Sequence, residues 1–235
     1  WRYLANVMSS MRAPTRLIDP ASDGVSIGTR LPVASAASTG RIVRATGAAT
    51  AGVPGGGALA GWPCAAAGVA PGSIWDAVLL FSSELMMRNP GIIALHATTS
   101  ANALHFIFGA SGDDATRKLA LLQAVGWQPL YRERIKSPDA VVIDAIPEDA
   151  DVPPGPEAVE RLFDAAGRDR ARAAAETVAY LAKGGSIGPL FDLGAKLIFR
   201  KGTDSHDYKY GAAIWEESLV VTDPKWRPRL AAAAM

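Results

Sequence analysis

The residues best suited to chemistry sit in Thr203–Trp215, TDSHDYKYGAAIW. His206, Lys209 and Tyr210 fall at i, i+3 and i+4, so a helix projects all three from one side. Thr203, Asp204 and Ser205 are each good N-cap residues, and Asp207 adds negative charge to the first turn, where the helix dipole favours it. The residues that follow, Ala212, Ala213, Ile214 and Trp215, belong to a buried helix. A polar cluster opening an apolar helix is what a site on a rigid element looks like, which makes Lys209 and Tyr210 candidates for reacting groups. The plainer alternative is a surface or capping histidine with Lys209 snorkelling past Tyr210.

A second polar cluster lies in Gly91–Phe108, GIIALHATTSANALHFIF. His96, Thr99 and Ser100 share one helical face, and Thr98, Asn102 and His105 share another. His96 and His105 stand half a rotation apart, so one straight helix cannot aim both at one metal. For each, a satisfied core histidine is the plainer reading, and it suits His105, bracketed by Leu104 and Phe106.

Helices must position these residues, and the chain supplies them. Trp1–Met11 has a helical apolar period, and residues 12–30 mix Pro, Asp, Ser and Gly as a loop does. Leu31–Ala51 is small and apolar and reads as a closely packed helix. Gly52–Gly72 is almost all Gly, Ala and Pro and reads as a long flexible loop; its GVPGGG lacks the lysine and Ser/Thr of a phosphate loop. Ser73 with Asp76 suggests a capping box for a central helix over Ser73–Arg88. Gly109 is expected to cap the Gly91–Phe108 helix, and Gly126 to stop a helix over Ala115–Val125. Ala140–Ile146 is the one stretch with strand character, and it has no partner strand. After a PPGP turn at 153–156, helices are expected over Glu157–Ala166, Arg168–Lys183 and Ser186–Arg200, with Gly184-Gly185 closing the second. A last helix follows a cap at Thr222 or Asp223. This pattern makes an all-α, multi-helix protein, one domain over residues 1–235.

Composition excludes several classes. The 235 residues carry 24 basic and 23 acidic side chains, a net charge of +1, so nothing marks a nucleic-acid or anionic-membrane partner. A single cysteine, Cys64, excludes an internal disulfide framework and a cysteine zinc site. No apolar run reaches membrane-spanning length, and without a signal peptide a cytoplasmic location is expected. The start at Trp1 and the finish at Met235 give both ends a truncated look. Gly-x-Ser-x-Gly, His-Glu-x-x-His and Gly-x-Gly-x-x-Gly are all absent, so no sequence feature supports NADPH binding.

Three segments, LHATTSANAL (95–104), FRKGTDSHDYKYGAAIWE (199–216) and DPKWRP (223–228), resemble the questin oxidase-like family of helical proteins. The resemblance covers about residues 75–235. It implies an oxygenase that inserts oxygen into a polycyclic aromatic or quinone substrate in the manner of a Baeyer–Villiger reaction, at a non-haem iron. Carried over, His96 and His206 are the implied imidazole ligands and Lys209 the implied carbamylated lysine ligand. Two departures stand beside this. The family's early Asn-His segment has no counterpart, since no histidine precedes His96, and Thr39 stands where another family histidine is expected. Threonine is a poor iron ligand, whereas imidazole suits iron well. The alternative expectation is therefore a helical protein of the same descent that binds a ligand without turning it over.

Overall fold

The computed structural model describes residues 68–135, 142–152 and 157–235, all within one compact unit. The expected helices over Trp1–Met11 and Leu31–Ala51, most of the 52–72 loop, the PPGP turn and Thr39 lie outside the described residues. Those described are all-α: eight α-helices and two short 3-10 turns, with no strand among them. No described helix is long and apolar enough to cross a membrane.

Helix α1 (Pro71–Arg88) is the centre of the bundle, with Trp75, Leu79, Leu80 and Leu85 fully buried. It begins earlier than the loop reading allowed. Pro71 occupies the first turn, where its missing N–H costs nothing, and the Ser73 and Ile74 N–H groups bond to Ala70 O. The expected Ser73/Asp76 capping box is not formed, because Asp76 is spent elsewhere. Its carboxylate accepts from Thr222 N at 2.8 Å and Asp223 N at 3.0 Å, clasping α1 to a segment far along the chain. The Thr222 side chain packs against Gly72, where a Cβ would meet Thr222 Oγ1 at 2.5 Å.

Helix α2 (Ile92–Ala110) and helix α3 (Asp114–Arg134) pack on α1 and on each other. Gly109 does not end α2, and neither Gly126 nor Pro129 ends α3. An interior glycine costs only about 1 kcal/mol, and burial of Ala124, Val125 and Pro129 holds the later turns in helical form. Asp113 caps α3 by accepting from Thr116 N at 2.7 Å. The described part of the stretch with strand character, residues 142–146, holds a 3-10 turn at Ile143–Ala145; Ile143 N donates to the Glu84 carboxylate at 2.9 Å, a side-chain partner in place of a neighbouring strand.

Helices α4 (Ala158–Ala166), α5 (Arg170–Ala182) and α6 (Ile187–Lys201) surround a smaller core of Val159, Leu162 and Leu190. Helix α5 ends in a Schellman motif: Gly185 N bonds to Tyr180 O and Gly184 N to Leu181 O, with Gly184 at φ +89°. Nothing lies within 4 Å of a Cβ placed on Gly184, so the conformation alone penalises a side chain. Gly184→Ala should therefore cost about 1 kcal/mol, seen as a lower urea midpoint with an unchanged slope. Helix α7 (Ser205–Val220) crosses α2, and α8 (Arg227–Ala232), entered through the 3-10 turn Pro224–Trp226, packs on α5 and α7.

Candidate functional site

The start of α7 is fixed by its own carboxylates. Asp204 is the N-cap and accepts from His206 N at 2.6 Å, while Asp207 reaches back to accept from Thr203 N at 2.9 Å and Asp204 N at 3.4 Å. This reciprocal capping box sets the first turn, and with it the His206 backbone.

Because α7 crosses α2, His206 meets His96. The two ring centres are 5.6 Å apart with planes at 89°. His96 is exposed and the His206 side chain is 35% exposed, so the pair sits at the rim of the helix crossing. Two imidazole nitrogens at about 2.1 Å from one ion, with a tetrahedral angle between them, would place the ring centres about 5.3 Å apart. The observed spacing is compatible with a shared ion, and the donor set suits iron, zinc, copper or nickel. Among the described residues, no group of three or more His, Cys, Asp or Glu is arranged to hold a metal. A shared ion would thus have two described imidazole ligands, with its remaining positions open to other donors.

His206 Nδ1 lies 3.0 Å from Asp204 Oδ1. A carboxylate can only accept, so Nδ1 carries a proton, and in the neutral ring the lone pair is on Nε2. Asp204 is held below the usual carboxylate range chiefly by the His206 N–H; desolvation opposes this, and the His206 ring adds a lesser lowering.

The other two residues of the cluster part from His206. Lys209 is exposed, and the described residues do not form around it the enclosure that a carbamylated lysine requires. Tyr210 donates its hydroxyl to Ala233 O at 2.8 Å, tying α7 to the end of α8, and desolvation pushes its pKa far up. The i, i+3, i+4 spacing identified one side of a helix correctly but not what covers it. Tyr210 is a helix-to-helix tie, its hydroxyl committed to Ala233 O and not to the histidine pair.

A second constellation lies further along the same two helices. Glu217, 2% exposed, accepts from Asn102 Nδ2 at 3.0 Å and from His105 Nδ1 at 2.7 Å; Asn102 Nδ2 also reaches Glu216 Oε2 at 3.0 Å. His105 stacks on Trp75 with ring centres 4.5 Å apart and planes at 25°. His105 is thus a satisfied histidine, and its carboxylate partner comes from a distant helix. The only hint in the sequence is Glu216-Glu217 directly after the apolar Ala212–Trp215 run, where a buried carboxylate would need a partner.

No family model, curated protein or solved structure matches the chain.

Proposed function

We propose that the chain is a helical metal-dependent oxidoreductase whose ion is held by His96 and His206. The approach of these two rings from helices distant in sequence, at 5.6 Å, carries the reading. Both rings stand at a partly open rim, leaving room for a small molecule to reach an ion between them. Ile92, one helical turn before His96, is 49% exposed and gives that rim an apolar border suited to an aromatic surface. A non-haem iron there would supply oxygen activation for insertion into a polycyclic aromatic or quinone substrate, as the resemblance implies. The chain's own part is to hold the two imidazoles at a fixed spacing and to present the apolar border.

A second reading, a helical protein that binds such a ligand without turning it over, is favoured by a different observation. Lys209 is exposed and Tyr210 is tied to Ala233, so neither is placed as a reacting group beside the histidines. Anaerobic purification followed by elemental analysis, with oxygen uptake measured on an anthraquinone-type compound, separates the two. Metal near one equivalent and substrate-dependent oxygen uptake are expected. His96→Ala and His206→Ala should each lose the metal, and Lys209→Ala should keep it. Metal without oxygen uptake would favour the second reading, and full metal content in both histidine variants would overturn the site.

A further inference from the structure

We propose that Asp204 is a positioning residue for the His206 imidazole, fixing the ring and its tautomer so that Nε2 serves as the metal-binding nitrogen. This inference rests on the metal-site reading above and adds to it a residue that is not a ligand.

The geometry argues for more than a helix cap. One oxygen, Asp204 Oδ1, stands 2.6 Å from His206 N and 3.0 Å from His206 Nδ1. The Asp204 side chain is 62% exposed, and an exposed carboxylate contacting only the ring would be free to swing away. Here the backbone bond of the cap holds the carboxylate in place, and Asp207 fixes the Asp204 backbone in turn. The capping box therefore does the ordering, and the ring contact needs little further loss of side-chain freedom. A carboxylate on the remote N–H of a metal-binding imidazole fixes its orientation and raises its basicity as a ligand, and loss of such a partner typically weakens metal binding by about 10–100-fold.

Capping and positioning can be separated. Asp204→Ser keeps an N-cap as good as aspartate but removes the carboxylate from the ring. Asp204→Asn keeps the cap and an acceptor oxygen but removes the charge. The experiment titrates the metal-free full chain with Co²⁺ by visible absorption, alongside far-UV circular dichroism and thermal melts. We expect Asp204→Ser to bind Co²⁺ about 10–100-fold more weakly with helical content and melting temperature unchanged, and Asp204→Asn to fall between it and the wild type. Wild-type affinity in both variants, while His206→Ala fails to bind, would overturn the role of Asp204 and leave the metal site standing. Affinity lost only in step with helical content would equally reduce Asp204 to a cap. Absence of His206-dependent Co²⁺ binding in the wild type would overturn the metal site and this inference together.

Discussion

Glu217→Ala is expected to destabilise the chain by about 3 kcal/mol at neutral pH, because it strands a buried donor and opens space between two helices. Glu217 is 2% exposed, and its carboxylate takes the His105 N–H on one oxygen and the Asn102 amide on the other. Asn102 keeps Glu216 as a second acceptor, so most of the loss falls on His105, which is confined by Trp75 and only 19% exposed at its side chain. For a chain of this size the loss lowers the melting temperature by about 6–12 °C. Glu217→Gln should recover part of it, since the imidazole can change tautomer and accept from the new amide. Urea unfolding followed by circular dichroism checks both. A loss below about 1 kcal/mol in the alanine variant would mean that His105 finds water instead. The helices joined by this network also carry His96 and His206, so the same variant should weaken Co²⁺ binding without touching a ligand.

Asp76→Ala is the second large effect, with an expected loss of about 2–4 kcal/mol. Its carboxylate, on a residue 2% exposed, is the acceptor for both Thr222 N and Asp223 N, and alanine leaves those two backbone donors without it. The pH dependence has a definite sign. Burial pushes the Asp76 carboxyl above its ordinary value, and the bonds from Thr222 and Asp223 offset only part of that rise. The folded state then retains this proton at pH values where the unfolded chain has released it, so stability falls as pH rises through the window just above the ordinary carboxylate range. Asp76→Asn cannot titrate. The stability of the wild type measured against that variant should therefore decline with rising pH across this window and level off above it; an increase would reverse the assignment of burial as the dominant influence.

Much of the helical framework was legible, because apolar periodicity and caps are local signals. Asp204, Asp223 and the Gly184-Gly185 stop were readable for that reason. The misreadings share one physical cause. Gly109 and Gly126 are locally poor helix residues carried along by neighbouring turns and packing, which override propensity. Ser73 and Asp76 have the spacing of a capping box, yet a buried carboxylate goes to the strongest donors in reach, here two backbone N–H groups far along the chain. At the candidate site, His206 could be nominated from its place in the polar cluster that opens α7, whereas His96 is nominated as a ligand through the resemblance alone. That Tyr210 faces a carbonyl and Lys209 faces water depends on which helices lie alongside, and spacing within one helix does not encode that.

The long reach of these polar ties bears on how the protein comes off the ribosome. His105 and Glu217 are 112 positions apart, and Asp76 is separated from Thr222 and Asp223 by 146 and 147. While α1, α2 and α3 are emerging, the acceptors and donors that complete Asp76, Asn102 and His105 have not yet been synthesised. Early helices can associate through their apolar faces, but those polar groups must stay hydrated, which keeps the nascent bundle loose around Trp75. Closing so long a span is entropically slow and comes late. Translation of α7 and the turn after it is thus the step that lets the bundle lock, and until then the growing chain exposes the surfaces that chaperones recognise.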